Sequence, residues 1–132
     1  MTSKKALIIG LGGQDGCLLA KSLLLKGIKV IGLSRKYLQN SKNLKKLGIE
    51  NDFDIQQGDI TKRDTLLKLI EDIKPDEIYN LAAQSSVSKS FSHSSETINS
   101  IVNGSLNILE VCKTIKYSGR IFFAGSSEIF GN

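Results

Sequence analysis

Lys5-Ala6-Leu7-Ile8-Ile9-Gly10-Leu11-Gly12-Gly13-Gln14-Asp15-Gly16 is the stretch that decides the fold. Its first five residues form a short apolar run that stops at glycine, as a strand buried on both faces does. Gly10, Gly13 and Gly16 follow with G-x-x-G-x-x-G spacing. A glycine directly after a strand permits a tight turn, and one in the middle lets the backbone approach a phosphate. The third lets the next helix pack close to the sheet. The N–H groups of the first helical turn then face a pyrophosphate. A bare glycine triplet is equally a tight turn with no ligand. A strand before it and a helix after it, opening a βαβ unit, favour a dinucleotide held by Gly10, Gly13, Gln14, Asp15 and Gly16.

Outward from that loop, strand and helix patterns alternate. Residues 14–26 carry Leu18, Leu19, Ser22, Leu23 and Leu25 at roughly helical spacing and stop at Gly27. Residues 29–33 read as a second strand, 37–47 as a weaker Lys-rich helix or loop, and 52–57 as a third strand. Residues 61–72 read as a helix with Thr61 as its N-cap and Leu66, Leu67, Ile70 and Ile73 as its apolar face. Pro75 breaks the chain before a fourth strand at 77–81, and the Ser-rich segment 82–95 reads as a loop. A long helix is predicted over 96–116, with Ile98, Ile101, Val102, Leu106, Leu109, Cys112 and Ile115 on one face. Residues 120–124 form the fifth strand. The pattern predicts an α/β fold, a Rossmann-type doubly wound parallel sheet of about five strands with helices on both faces. Ligands of such sheets sit beyond the carboxyl ends of the strands, here 10–16, 34–35, 58–60, 81–87 and 125–131.

The 132 residues suffice for one domain with a hydrophobic core, and 40% apolar with 23% charged content is ordinary for a water-soluble protein. No apolar run approaches a membrane span or a secretory signal, so a cytoplasmic protein without membrane contact is expected. Cys17 and Cys112 lie far apart inside predicted helices and read as reduced, buried thiols, with no metal site. The net charge of +5 suits anionic ligands, but scattered lysines and few aromatic residues do not point to nucleic acid.

The second strand ends Gly32-Leu33-Ser34-Arg35-Lys36, with no carboxylate for ribose hydroxyls and two cations instead. Arg35 can pair bidentately with a 2′-phosphate, which favours NADP over NAD; otherwise it is a solvated basic turn. Asp59 and its neighbour Ile60 follow the third strand at the adenine edge of the cleft. Asp59 suits an adenine amino group, and is also placed to cap the following helix.

Three segments carry a resemblance: Gly13-Gln14-Asp15-Gly16, Pro75-Asp76-Glu77-Ile78-Tyr79-Asn80-Leu81-Ala82-Ala83-Gln84-Ser85 and Ser126-Ser127-Glu128-Ile129-Phe130-Gly131. Together they resemble the extended short-chain dehydrogenase/reductases that act on sugar nucleotides, and among these the GDP-mannose 4,6-dehydratase family. The resemblance runs nearly end to end. It implies NADP-dependent internal redox chemistry of a lyase on a nucleotide sugar, GDP-mannose, and leaves room for a homo-oligomer at full length. Hydride leaves sugar C4, water is eliminated across C5 and C6, and hydride returns to C6. It places Ser126 as the hydrogen-bond donor to the C4 oxygen and Glu128 as the acid/base carboxylate at C5 and C6. Elimination needs such a group, because a proton is taken at one carbon and delivered at its neighbour. Leu81, Ala82, Ala83 and Ser85 would line the nicotinamide ribose and sugar end, and Asn99 to Asn103 would lie near the cofactor.

The sequence departs from the family at Ile9 and Gly12, where Thr is common, and at Gly125, Ser126 and Phe130, which replace Ser, Thr and Tyr. Tyr37, Tyr79 and Tyr117 are followed four residues later by Ser41, Ala83 and Ile121, so none opens a Tyr-x-x-x-Lys motif. The expectation is an incomplete dinucleotide-binding domain over 1–132, without a substrate domain and without turnover alone. A piece of another sugar-nucleotide epimerase or reductase is an alternative, as is a stand-alone NADP-binding module. His93 reads as a solvated loop residue, Ser85, Ser86, Ser88 and Ser90 lack a neighbouring base, and Tyr79 and Phe122 read as core.

Overall fold

Every strand of the sheet runs in the same direction, because each is joined to the next by a crossover that carries a helix. The computed structural model describes residues 4–11, 14–34, 42–48, 52, 54–81 and 94–123. They form β1 (Lys5–Ile9), α1 (Gln14–Leu25), β2 (Lys29–Ser34), α2 (Lys42–Leu47), β3 (Asp54–Gln57), α3 (Arg63–Ile73), β4 (Glu77–Asn80), α4 (Ser94–Thr114) and β5 (Arg120–Phe123). The five strands lie in the order β3-β2-β1-β4-β5, all parallel. This is the doubly wound arrangement the alternating pattern predicts.

β1 is central, and its alternation divides the core in two. Ala6 and Ile8 face the α1 layer with Cys17, Ala20, Leu23 and Val30. Leu7 and Ile9 face the α3 and α4 layer with Leu66, Ile70, Ile108 and Val111. Burying each Leu or Ile side chain contributes about 1.5–3 kcal/mol, so β1 stabilises the fold from both faces at once. Cys17 and Cys112 are free, buried thiols as expected, and burial raises the pKa of each.

Three helix readings are corrected. Leu23 is buried as the spacing predicts, but Leu18 and Leu25 are exposed, and Cys17 and Ala20 are buried in their place. Likewise Val102, Leu106 and Leu109 of α4 are about half exposed, at 48%, 51% and 49%, while Ile108, Val111 and Cys112 are buried. In both helices a glycine joins the inward face: a Cβ at Gly16 would meet the backbone of Gly10 and Leu11, and one at Gly104 would meet Ile60. Small residues let each helix approach closely, and this outweighs the larger apolar residues one position away. Third, Thr61 is not the N-cap of α3. That position is Lys62, with φ −98°, and it makes no side-chain cap bond. The Thr61 hydroxyl is instead held by Asp59.

Phe122 is also corrected: on edge strand β5 it is 57% exposed, with its ring 5.9 Å from that of half-buried Tyr79. α3 ends at Lys74 in the left-handed region (φ 52°), with the Lys74 amide donating to the Ile70 carbonyl at 2.9 Å. Tyr117 then donates to the Pro75 carbonyl at 2.8 Å and ties the start of β4 to the end of α4. Burial pushes the Tyr79 phenol up from 10.0 to about 12, helped by its hydrogen bond to Glu77. Burial likewise pushes Tyr117 up to about 12, with the nearby acidic groups adding to it.

Two expected outcomes follow from this packing. Ile108→Ala should lower the unfolding free energy by about 2–5 kcal/mol and Leu106→Ala by less than about 0.5 kcal/mol, read by urea denaturation. The reverse order would restore the face predicted from periodicity. As pH rises from 10 to 12 the unfolded tyrosines ionise before Tyr79 and Tyr117 do in the folded chain. Unfolding then releases protons, so stability, complete below pH 10, should fall across that window. Tyrosinate absorbance should show the same delayed ionisation.

Candidate functional site

The carboxyl ends of β3, β2, β1 and β4 meet in one rim. The Gly10 amide donates to the Leu33 carbonyl at 3.1 Å, the Gly58 amide to the Ser34 carbonyl at 3.0 Å, and the Leu81 amide to the Ile9 carbonyl at 2.8 Å. These bonds carry the sheet ladder one step past its formal end, so Gly58, Ser34, Gly10 and Leu81 line a single edge. From β1 the chain first builds toward β2 and β3, and later crosses to β4 and β5. The switch point therefore lies between β1 and β4, where sheets of this kind leave a crevice for ligand.

Gly10 sits at φ 89°, a conformation glycine adopts without steric cost. A Cβ at Gly16 would lie 2.7 Å from the Gly10 carbonyl oxygen and 2.9 Å from Leu11 Cα, so only glycine allows α1 to come this close to the end of β1. Leu11 is fully buried, and its side chain lies over Gly32 in β2, where a Cβ would collide with it. The Cys17 thiol donates to the Leu11 carbonyl at 3.2 Å. Gln14 and Asp15 open the 12-residue helix α1 immediately beyond this turn. A tight, glycine-lined approach with the positive end of a helix beside it suits a pyrophosphate, and the residues present fit a dinucleotide.

On one side of the turn, Asp59 follows β3. Its Oδ1 accepts from the Thr61 amide at 2.9 Å and from the Thr61 hydroxyl at 2.7 Å. The Lys62 amide donates to the Asp59 carbonyl at 3.0 Å. This Asx turn precedes α3 rather than capping it, and it holds the Asp59 carboxylate at the rim. The neighbouring Ile60 carbonyl accepts from Asn107 Nδ2 at 2.9 Å. On the other side, Leu81 is buried beside β1, and buried Asn80 donates from Nδ2 to the Ser105 hydroxyl at 3.4 Å.

Gly10, Gly16, Asp59, Ile60 and Leu81 are thus brought to one edge of the sheet, as the sequence reading expects. Gly13, Arg35, Ala82, Ala83, Ser85, Ser126 and Glu128 lie outside the described residues, as do His93 and the other loop serines. Periodicity and spacing passed over Leu11, Gly32, Cys17 and Asn107. A glycine inside an apolar strand was the available signal for Gly32, since it marks a close approach. Asn107 offered no signal, because its role depends on how α4 lies across the sheet.

Elsewhere, a cleft of about 900 Å³ opens at the opposite, amino-terminal edge of the sheet, near Pro75 and Tyr117. Lys74 and Lys116 there follow the carboxyl ends of α3 and α4, where cations complement the helix dipoles, so the cleft needs no ligand to explain its charge. Tyr79 is no acid/base near neutral pH, since its phenol is raised to about 12. Among the described residues, no group of three or more His, Cys, Asp or Glu is arranged to hold a metal, and no helix is long and apolar enough to cross a membrane.

Comparison with known proteins agrees with this architecture. Residues 7–132 match the family model described as GDP-mannose 4,6 dehydratase. The chain is 37% identical to GDP-mannose 4,6-dehydratase of Yersinia enterocolitica, an alignment covering 97% of the chain and 37% of that protein. It is 38% identical to the Homo sapiens GDP-mannose 4,6 dehydratase, covering 96% of the chain and 36% of that protein. The chain therefore spans a little over a third of the length of the curated relatives it matches. Among solved structures, UDP-glucose-4-epimerase from Stenotrophomonas maltophila, with bound NAD and formylated UDP-arabinopyranose, superposes with a TM-score of 0.81 at 21% identity. That match covers 98% of this chain and 39% of the epimerase. dTDP-glucose 4,6-dehydratase from Bacillus anthracis, in complex with NAD, gives 0.77 at 20% identity, over 98% of this chain and 40% of that one. At those identities the structures speak for the fold alone, whereas the family match extends along almost the whole sequence: the chain belongs to the GDP-mannose 4,6-dehydratase family.

Proposed function

We propose that this chain is the dinucleotide-binding part of an NADP-dependent GDP-mannose 4,6-dehydratase. The observation that carries the reading is the glycine turn at the switch point, where Gly16 seats α1 against Gly10 and Leu11, in a chain of this family. In this reading Gly10, Gly13 and Gly16, with the amides opening α1 at Gln14 and Asp15, hold the pyrophosphate. Asp59 accepts from the adenine amino group, with Ile60 beside it. Leu81, Ala82, Ala83 and Ser85 line the path toward the nicotinamide ribose and the sugar.

The cofactor, when bound, takes up a hydride and returns it. Ser126 donates a hydrogen bond to the C4 oxygen of the nucleotide sugar, which stabilises negative charge there as the C4 carbonyl forms, as the C5 proton leaves and as hydride adds at C6, the carbonyl remaining in the product. Glu128 takes the C5 proton and delivers one to the departing C6 hydroxyl, so the carboxylate serves both halves of the elimination. No Tyr-x-x-x-Lys occurs in these 132 residues, so this reading has them bind cofactor without completing turnover alone.

Cofactor choice turns on Arg35 and Lys36. Two cations beyond β2, and no carboxylate, support a 2′-phosphate. NAD is the competing cofactor, as it is the one bound in the two solved structures compared above. Calorimetric titration of the chain with NADP+ and NAD+ tests both readings. NADP+ should bind more tightly, and Arg35→Ala should weaken it by about tenfold or more while leaving NAD+ within about twofold. Equal losses would make Arg35 a surface charge and return the choice to NAD. Gly16→Ala should abolish binding of either dinucleotide, and unchanged binding in that variant would remove the glycine turn from the site.

A further inference from the structure

α4 touches the rim at two places within one helical turn. Gly104 packs its Cα face against Ile60, with no room for a Cβ. One turn on, on the same face, Asn107 donates from Nδ2 to the Ile60 carbonyl at 2.9 Å. Between them, Ser105 accepts from Asn80 at the end of β4. Farther along, Arg63 at the start of α3 donates to the Thr114 hydroxyl at 3.3 Å and lies 3.8 Å from Glu110. α4 therefore joins the turn after β3 to the end of β4, although β2 and β1 stand between those strands.

From this geometry we infer that Asn107 is a positioning residue for recognition of the adenine amino group. It acts through the Asp59–Ile60 turn, and the inference rests on the dinucleotide reading above. That turn has no regular secondary structure. Its internal bonds, from Thr61 and Lys62 to Asp59, set its shape. They do not set its distance from the rest of the cleft. Gly58, bonded to the Ser34 carbonyl, fixes one end of the turn, and Asn107 fixes the other, because its amide reaches the Ile60 carbonyl from a helix of 21 residues. The strength of any bond to a base then depends on where the turn holds the carboxylate, and small displacements weaken it steeply.

The test compares the better-bound of NADP+ and NAD+ with its hypoxanthine analogue, which carries a carbonyl where adenine carries the amino group. Calorimetry on the full chain reads both affinities. The unmodified chain should prefer the adenine form by about tenfold, as expected for a hydrogen bond to a charged acceptor. Asn107→Ala should weaken the adenine form by about three- to tenfold and the hypoxanthine form by less than about twofold. Alanine is the better helix former at this position, so Tm should change little. Asn107→Asp keeps the shape but turns an acceptor toward the Ile60 carbonyl. It should lose the preference for adenine at least as fully, and it provides the same comparison if the alanine variant folds poorly.

Equal losses for the two dinucleotides in both variants would show a purely structural role and overturn the inference, as would no loss for either. An unmodified chain that binds both dinucleotides equally would overturn it by removing Asp59 from adenine recognition, while leaving the cofactor reading intact. A chain that binds neither would defeat the cofactor reading, and this inference with it.

Discussion

A Cβ at position 16 would lie 2.7 Å from the Gly10 carbonyl oxygen, closer than carbon and oxygen can stand without covalent linkage. The absence of that one carbon sets how near α1 comes to the sheet. It also fixes where the first turn of α1 presents its amides, and how deeply Cys17 and Ala20 sink into the core. Leu11 sits between the two glycines, over Gly32, and its carbonyl is held by Cys17. The glycine turn and the hydrophobic core on this face are thus one packing arrangement. A change in either propagates to the other, since closely packed interiors transmit volume changes rather than absorb them.

The opposite face works by the same device at larger scale. Gly104 lets α4 close on Ile60, and Ile108, Val111 and Cys112 then fill the space against Leu7, Ile9, Leu66 and Ile70. This approach turns Val102, Leu106 and Leu109 outward. Polar bonds at the rim, from Asn107 to Ile60 and from Asn80 to Ser105, are then made between elements that apolar packing has already brought together. The hydrophobic layers provide most of the stability, and the rim bonds fix how the strand ends and α4 stand relative to one another.

The five strands, the parallel sheet and the glycine turn were legible because each leaves a local mark: an apolar run ending in glycine, or a helix-spaced segment between two strands. The inward faces of α1 and α4 were legible only in part, at Leu23 and Cys112. Periodicity ranks positions by side-chain size, whereas these helices are seated by their smallest residues, Gly16, Cys17 and Ala20 in one and Gly104 in the other. Thr61 misled for a related reason, since its hydroxyl could accept from an amide of α3 or donate to a nearby acceptor, and only the geometry of the turn gave it to Asp59. At the site, Gly10, Gly16, Asp59, Ile60 and Leu81 could be placed from strand ends alone. Asn107 could not, because its partner is 47 positions away in sequence.

Hydrogen exchange with and without a saturating dinucleotide measures the central claim most directly, since it reads the backbone amides that the account assigns to the ligand. Added NADP+ should slow exchange in two separated segments, the turn from Gly10 into α1 and the Asp59–Ile60 turn before α3. The cleft near Pro75 and Tyr117 at the other edge of the sheet should be unaffected. Protection confined to that far edge, or none at the glycine turn under conditions where the dinucleotide binds, would contradict it.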